Sequence, residues 1–141
     1  MNPTVSILGS GDAPVLDHVA PDVFDHAVDP RWPAEFLADP RHHLAVAIDD
    51  GRVVGMASAV HYVHPDKPPE LWVNEVGVAP THREKGIGRR LLSALFERGR
   101  SLGCGTAWVA TEPSNTPARR LYAGVGGKES PEPFLMVEFE L

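Results

Sequence analysis

The stretch that decides the fold is Val76-Gly77-Val78-Ala79-Pro80-Thr81-His82-Arg83-Glu84-Lys85-Gly86-Ile87-Gly88-Arg89-Arg90-Leu91-Leu92. It passes from an apolar, β-rich run that Pro80 ends, through a loop with two glycines, into an amphipathic helix. A side chain at Gly86 or Gly88 would block the approach of an anion. The helix start adds N–H groups and partial positive charge. The stretch therefore predicts a phosphate or pyrophosphate site.

A second interpretation of the same residues is a plain helix start. Thr81 and Glu84 have the spacing of a capping box, which would begin the helix at His82. Gly86 and Gly88 would then lie inside the first turns, and each would cost about 1 kcal/mol relative to alanine. The pattern is neither a P-loop nor the dinucleotide fingerprint, because no Gly-Lys-Ser/Thr follows and the glycine spacing is too short. The neighbouring residues have to decide between an anion site and a helix start.

The elements on both sides of this stretch predict a mixed α/β fold. We expect strands at residues 5–8, 43–48, 52–60, 71–78, 106–111 and 134–141, with a hairpin turn at Asp49-Asp50-Gly51. Helices are predicted at residues 12–19 and 33–38, from the glycine loop to about Leu102, and from Asn115 to about Tyr122. The order implies antiparallel N-terminal strands followed by one parallel βαβ unit, with helices on the faces of the sheet.

Composition bounds the class of protein. The 141 residues predict a single domain, 1–141. The formal charge of −6, from 19 acidic and 13 basic side chains, argues against nucleic acid as a partner. Cys104 is the only cysteine, which excludes an internal disulfide and a multi-cysteine zinc site. With no signal peptide and no apolar run of membrane-spanning length, we expect a cytoplasmic protein with no metal and no membrane partner.

Two blocks of residues in register resemble the GNAT superfamily of N-acetyltransferases. The first block is Val76-Gly77-Val78-Ala79-Pro80 followed by Arg83-Glu84-Lys85-Gly86-Ile87-Gly88-Arg89 and Leu91-Leu92. The second consists of Asn115, Ala118, Leu121-Tyr122 and Gly126. The element order over nearly the whole chain agrees with that superfamily. One departure is Gly126-Gly127, where the superfamily often has Gly-Phe, which leaves the course of the last strands open.

The resemblance implies acetyl-CoA as co-substrate. By resemblance, the strand before the loop splays from its neighbour, and the backbone of residues Val76, Gly77 and Val78 binds the pantetheine arm. The pyrophosphate would be held by the loop residues Arg83, Glu84, Lys85, Gly86, Ile87, Gly88 and Arg89, and Arg83, Lys85 and Arg89 can add charge-assisted contacts. Asn115 would contact the cofactor from the opposite side.

Two residues are candidates for the chemistry of acetyl transfer, which needs a base for the amine and an acid for the departing thiolate. The resemblance gives Tyr122 the role of general acid, and the alternative is a core tyrosine. Glu75 lies in a strand that is otherwise apolar enough to be buried, where an ionised carboxylate is costly unless paired. It is our candidate base, acting directly or through a water, and the alternative is a structural ion pair with an arginine.

The loop before this strand supplies candidate substrate contacts. Aromatic and acidic groups there, with one acid near the C-terminus, would form a cleft for a cationic amine; they are Tyr62, His64, Asp66, Glu70 and Glu138. His61 and His64 do not predict a metal site, because their spacing on a strand places them on opposite faces. The layout resembles that of the small aminoglycoside 3-N-acetyltransferases.

Three functions remain open at this point. The first is acetyl-CoA-dependent acetylation of a primary amine by direct transfer, with an aminoglycoside as leading substrate and antibiotic resistance as the consequence. The second is acetylation of another small amine, a polyamine or a protein N-terminus. The third is an acetyl-CoA-binding module without turnover. The predicted terminal strand, residues 134–141, could pair with a second copy, so a homodimer is possible.

Overall fold

The computed structural model describes residues 2–141. It contains five strands, β1 (Thr4–Leu8), β2 (His42–Asp49), β3 (Arg52–Tyr62), β4 (Glu70–Val78) and β5 (Thr106–Val109). Three helices accompany them, α1 (Pro33–Ala38), α2 (Ile87–Ser101) and α3 (Thr116–Gly124), with short 3₁₀ turns at Ala13–Asp17 and Pro80–His82. The strands form one sheet in the order β1-β2-β3-β4-β5. The predicted mixed α/β fold is confirmed.

The sheet is antiparallel up to β4 and parallel between β4 and β5. The β2–β3 hairpin turns at Asp50 (φ 50°) and Gly51 (φ 74°), as expected for a two-residue turn with both residues in the left-handed region. β4 pairs with β5 only from Glu70 to Val73, and it continues alone on that side to Val78. The sheet therefore forks where β4 outlasts its parallel neighbour.

Two layers cover the sheet. α2 packs on one face and buries Leu91, Leu92 and Leu95 completely against β1 to β4. The N-terminal 3₁₀ turn and α1 lie on the opposite face, where Gly77 of β4 comes under the backbone of Val23. The fork in the sheet is thus reached from both faces.

The glycine loop is not a plain helix start. After the 3₁₀ turn at Pro80–His82, Glu84 (φ 61°) and Gly86 (φ 77°) take left-handed conformations, and α2 begins only at Ile87. A helix beginning at His82 would need right-handed helical backbone at both positions. The capping-box interpretation of Thr81 and Glu84 is therefore wrong.

Two other predicted elements differ from the structure. Residues 12–19 form a 3₁₀ turn at Ala13–Asp17 rather than an α-helix. Residues 134–141, predicted as a terminal strand, are exposed and lie in neither a helix nor a strand. A strand needs a neighbour for its backbone hydrogen bonds, and within this single chain the segment has none.

Candidate active site

The open part of β4 presents backbone groups toward the fork. The Glu75 N–H donates to Ser58 Oγ of β3 at 3.3 Å, and the Ala79 N–H donates to the Val54 carbonyl at 2.8 Å. Because successive residues of a strand alternate in direction, the backbone groups of Val76 and Val78 point the other way, into the fork. Arg83 Nε already donates to the Val78 carbonyl there, at 3.0 Å. This geometry fits an extended amide-bearing ligand such as the pantetheine arm.

The start of α2 lies just beyond the fork. Gly86 is its N-cap residue in the left-handed conformation, and no side chain caps the helix. The first N–H groups of an α-helix have no partner within the helix, so these groups are available to an anion. Arg83, Lys85 and Arg89 surround them with exposed basic side chains. Glu84 and Ile87 complete the predicted loop, with Ile87 buried in the core.

Gly88 has a second physical reason, which the sequence did not indicate. A Cβ added at Gly88 would lie 3.0 and 3.2 Å from the two terminal carbons of Leu121 in α3. The absence of a side chain therefore lets α3 pack closely on α2, and the role of Gly88 in the approach of an anion stays a prediction. A Cβ at Gly124 would likewise lie 2.4 Å from Arg89 Nη2, so the absence of a side chain at Gly124 leaves room for the Arg89 guanidinium.

Asn115 begins α3 on the far side of the fork. Its side-chain oxygen accepts a hydrogen bond from the Ala118 N–H at 3.2 Å, which confirms the predicted N-cap. The side-chain amide nitrogen remains for another acceptor. The role of Asn115 in holding acetyl-CoA stays a prediction.

Tyr122 lies in α3, half-buried on the α2 side of the sheet. It lines a cavity of about 270 Å³ that also reaches Val73 and Val109, the last pair of residues before the fork. Burial raises the pKa of the Tyr122 hydroxyl above its usual value, so the group stays protonated at neutral pH. A protonated hydroxyl beside the fork suits a proton donor.

Glu75 lies on the opposite face, in the open part of β4. It lines a cavity of about 490 Å³ between the sheet and the α1 layer, together with its β3 neighbour Ser58. Across residues 2–141 no ion pair involves Glu75, so the predicted alternative of an arginine partner finds no support there. Glu75 is thus a partly buried carboxylate at the wall of a pocket.

The other walls of this pocket come from residues that the sequence did not single out. They are mainly apolar, with a carboxylate and an imidazole among them: Leu16, Phe24, His26, Val28, Asp29, Trp32, Phe36 and Leu44. Most of them belong to the irregular segment before α1, whose position depends on contacts such as the Ala20 N–H donating to the Val53 carbonyl at 2.9 Å. No local sequence pattern predicts such a contact between residues distant in the chain.

The predicted substrate contacts are not gathered around Glu75. Tyr62, His64, Asp66 and Glu70 lie at the other end of β4, and the five residue steps from Glu70 to Glu75 span roughly 17 Å of strand. Their own contacts are local: Glu70 pairs with Lys67 at 2.6 Å, lies 3.8 Å from His64, and accepts a hydrogen bond from Trp108 Nε1. Glu138 is exposed in the C-terminal segment.

Two negative observations concern the part of the chain that the structure describes. Residues 2–141 contain no group of three His, Cys, Asp or Glu side chains that could hold a metal ion. They also contain no helix that is both long and apolar enough to cross a membrane. Cys104 is free and partly buried at the end of α2, and burial raises the pKa of its thiol.

The mixed sheet that forks beside a glycine-started helix has the architecture of acyl-CoA-dependent transferases, with a partly buried carboxylate on one face of the sheet and a tyrosine on the other. The family model described as "Acetyltransferase (GNAT) family" matches residues 14–126. The chain belongs to this family, whose members use acetyl-CoA.

Named relatives act on several kinds of amine. The N-alpha-acetyltransferase RimI of Mycobacterium tuberculosis is 36% identical over 101 residues, 70% of this chain and 61% of the relative. L-2,4-diaminobutyric acid acetyltransferase of Virgibacillus pantothenticus is 34% identical over 83 residues, 59% and 51% of the two chains. Aminoglycoside N(6′)-acetyltransferase type 1 of Salmonella typhimurium is 30% identical over 94 residues, 62% and 65%. The chain thus spans about half to two thirds of the length of these relatives.

Solved structures confirm the fold. An aminoglycoside acetyltransferase from an uncultured soil metagenomic sample, in complex with sisomicin, superposes with a TM-score of 0.81 at 14% identity, over 99% of this chain and 96% of that one. The aminoglycoside acetyltransferase AAC(6′)-Iy, in complex with a bisubstrate analog, gives 0.80 at 19% identity, over 99% of each chain. At these identities the likeness concerns the fold alone.

Proposed function

We propose that the chain transfers the acetyl group of acetyl-CoA directly to a primary amine. The observation that carries this proposal is the fork between β4 and β5, with Glu75 on one face and Tyr122 on the other. A fork of this kind admits a donor between two strands and lets an acceptor meet it from one face. A module that only bound acetyl-CoA would need neither a carboxylate in an acceptor-sized pocket nor a protonated hydroxyl beside the fork.

The donor side is assigned to the backbone of β4 and the start of α2. Val76 and Val78 hold the pantetheine arm through their backbone groups, and Gly77 leaves room for the Val23 carbonyl. The N–H groups at the start of α2 hold the pyrophosphate, with the exposed basic side chains around them. Asn115 contacts the donor through its side-chain amide. The acetyl thioester of the bound donor supplies the acyl group.

The chemistry requires no covalent intermediate with the protein. Glu75 accepts a proton from the acceptor ammonium, directly or through a water, so that the neutral nitrogen can attack the thioester carbon. Tyr122 donates its hydroxyl proton to the sulfur as the C–S bond breaks, and the surplus proton on the acylated nitrogen restores the Tyr122 hydroxyl. The two groups act from the two faces of the sheet, and the reacting atoms meet in the opening between the strands.

An aminoglycoside is the leading acceptor. Glu75 lines the pocket without an ion-pair partner among residues 2–141, so its carboxylate would attract an amino sugar, whereas the other lining carboxylate, Asp29, is paired with Arg31 at 2.7 Å. Trp32 and Phe36 offer aromatic faces for the apolar side of a sugar ring. The aminoglycoside relatives named above are designated for the 6′ amine, so the 3-N position that we predicted has no support from them. Product analysis decides the position.

The α-amine of a polypeptide is the second candidate acceptor. The pocket of about 490 Å³ is lined mainly by apolar side chains, which can also receive the first side chains of a peptide. The match to an N-alpha-acetyltransferase supports the same class. Polyamines, whose short methylene runs lie between charged amines, would bury less apolar surface against these walls.

The deciding experiment measures free CoA thiol while the chain is given acetyl-CoA and a panel of aminoglycosides, peptides with different N-termini, and polyamines. Acceptor-dependent thiol release is expected with one class. The same chain without an acceptor corrects for Cys104, whose raised pKa slows its reaction with the thiol reagent. If no class of acceptor causes thiol release although the chain binds acetyl-CoA measurably, the chain is a binding module without turnover. A rise in aminoglycoside tolerance of a susceptible host on expression would add the resistance role.

A further inference from the structure

Three hydrogen-bonded side chains lie at the base of the loop that leads into α2. His82 Nε2 lies 2.7 Å from Asp49 Oδ2, and His82 Nδ1 lies 2.8 Å from Thr81 Oγ1. Asp49 is the last residue of β2 and comes 33 positions before His82 in the sequence. We call these three side chains the His82 link. The link joins the loop to the turn of the β2–β3 hairpin, and it has no part in the proposed proton transfers.

The direction of each hydrogen bond in the link follows from the groups involved. An ionised carboxylate can only accept, so His82 Nε2 carries a proton and donates to Asp49. In the neutral imidazole Nδ1 is then the acceptor, and the Thr81 hydroxyl donates to it. Both nitrogens of this ring have a partner, which fixes the ring in one orientation. The bond to Asp49 is the stronger of the two, because an ionised acceptor makes a hydrogen bond roughly twice as strong.

His82 is the buried anchor of this loop. Ala79 and Ile87 are both buried, and of the residues 80–86 between them only His82 is not exposed. Arg83 Nε adds a hydrogen bond to the Val78 carbonyl, but this bond lies at the surface, where water competes for both groups. The bond between His82 and Asp49 therefore determines how the loop is attached to the sheet.

The loop has a backbone conformation that requires such an anchor. Glu84 has a φ of 61°, although a side chain disfavours the left-handed region. A conformation of this kind persists only where the surrounding structure holds it. The β2–β3 hairpin can do so, because β2 is hydrogen-bonded to β1 on one side and to β3 on the other. Glu84 follows two residues after His82, so the link holds the strained part of the loop against a rigid hairpin.

We propose that Asp49 and His82 are positioning residues for the donor: they hold residues 83–86 in the conformation that presents the first N–H groups of α2 to the pyrophosphate. This inference rests on the proposed function, which assigns the pyrophosphate to that loop. N–H groups that are already in place bind an anion more tightly, because binding does not have to order the loop. Loss of the link therefore weakens donor binding and leaves Glu75 and Tyr122 in place.

The test compares the dissociation constant of acetyl-CoA, measured by calorimetry, between the wild type and variants of the link. Asp49→Ala and His82→Ala are each expected to raise the constant roughly tenfold, which corresponds to the loss of one hydrogen bond to a charged group. The double variant is expected to bind no more weakly than either single variant, since both substitutions remove the same contact. Asp49→Ala carries the test if His82→Ala does not fold.

The sign of the Asp49→Ala effect separates positioning from simple electrostatics. Acetyl-CoA carries negatively charged phosphates, so the removal of a nearby carboxylate would by itself tighten its binding. The control Asp50→Asn removes a charge from the next residue, which is exposed, and is expected to bind acetyl-CoA at least as tightly as the wild type. His82→Gln, whose side-chain amide can donate to Asp49, is expected to keep most of the affinity that His82→Ala loses.

Turnover gives a second readout that a purely structural role would not produce. The KM for acetyl-CoA is expected to rise in Asp49→Ala, while kcat at saturating donor stays near the wild-type value. Equal or tighter binding by Asp49→Ala, even with a lower melting temperature, overturns the positioning role, and so do effects that add in the double variant. A wild-type chain that does not bind acetyl-CoA overturns the proposed function itself, which is a different result.

Discussion

Glu75 and Tyr122 reach the forked sheet from opposite faces, and the proposed chemistry is divided between these two side chains. Glu75 lies at a pocket large enough for an acceptor, whereas Tyr122 lines the cavity beside the last β4–β5 pair. Neither side chain is held in an ion pair in the part of the chain that the structure describes. Each role can therefore be tested by a substitution that changes one atom or group.

Replacing Glu75 by glutamine removes the proton acceptor and keeps the shape of the side chain. We expect kcat to fall by roughly 10²–10⁴-fold, because general base catalysis contributes about that factor. The affinity for acetyl-CoA, measured by calorimetry, is expected to stay unchanged. Glu97→Gln is the control, since Glu97 is exposed on α2. A Glu75→Gln variant as active as Glu97→Gln would remove Glu75 from the mechanism.

Replacing Tyr122 by phenylalanine removes only the hydroxyl. Since burial raises the pKa of Tyr122, the wild-type hydroxyl remains protonated through pH 7–9.5 and can donate over that whole range. We expect kcat of Tyr122→Phe to be roughly 10²-fold or more lower across these pH values. The melting temperature monitors packing. Equal turnover of both proteins would make Tyr122 a core residue only.

Single residues were predicted well where their chemistry is local. Asn115 as an N-cap follows from a rule that involves only a few neighbouring residues. For Gly88 and Gly77 the structure adds a packing reason that the sequence did not indicate. Their space is taken by Leu121 and by the Val23 carbonyl, which are distant in sequence.

At the scale of elements, the packing of α3 on α2 depends on Gly88. We expect Gly88→Ala to lower the free energy of unfolding by about 1 kcal/mol, because crowding against Leu121 outweighs the gain of about 1 kcal/mol in helix propensity. Urea denaturation measures the free energy of unfolding. Gly105→Ala is the control, since no atom lies within 4 Å of a Cβ there. If Gly88→Ala weakens acetyl-CoA binding without loss of stability, the result supports the prediction that Gly88 leaves room for the anion.

Helices and strands could be predicted where residues close in sequence determine them, and not where contacts with distant residues do. The bounds of α1 were predicted as the structure has them, and α2 was recognised from its apolar stripe. The irregular segment between the N-terminal 3₁₀ turn and α1 was not, although it supplies Phe24 and Asp29 to the pocket, because its course is set by β3. Residues 134–141 have the pattern of a strand and lack a partner within one chain.

At the scale of the whole molecule, one buried histidine links stability to pH. His43 is 2% exposed, and its Nε2 lies 2.8 Å from His61 Nδ1. Burial, followed by the nearby charges of His61 and Arg98, lowers the pKa of His43 to about 4. Below about pH 6.5 the unfolded chain binds a proton at this position while the folded chain does not. Stability is therefore lost as pH falls from about 6.5 toward 4.

We expect the free energy of unfolding to fall by about 2 kcal/mol more between pH 7.5 and 5 in the wild type than in His43→Gln. Urea denaturation at the two pH values measures the difference. His18→Gln, at an exposed position, should keep the wild-type pH dependence. An unchanged dependence in His43→Gln would mean that the imidazole takes up its proton in the folded state.

The fork in the sheet has one further consequence, for how occupancy of the donor site can be observed. From Asn74 to Val78, β4 has a hydrogen-bonded neighbour on one side only, so the amides of Val76 and Val78 exchange with solvent deuterium unless a ligand covers them. Donor binding would slow exchange at these two positions, while the amides of Leu71 and Val73, between two strands, serve as an internal reference. The exchange rates of two backbone amides thus report whether the proposed donor site is occupied, without a dye and without turnover.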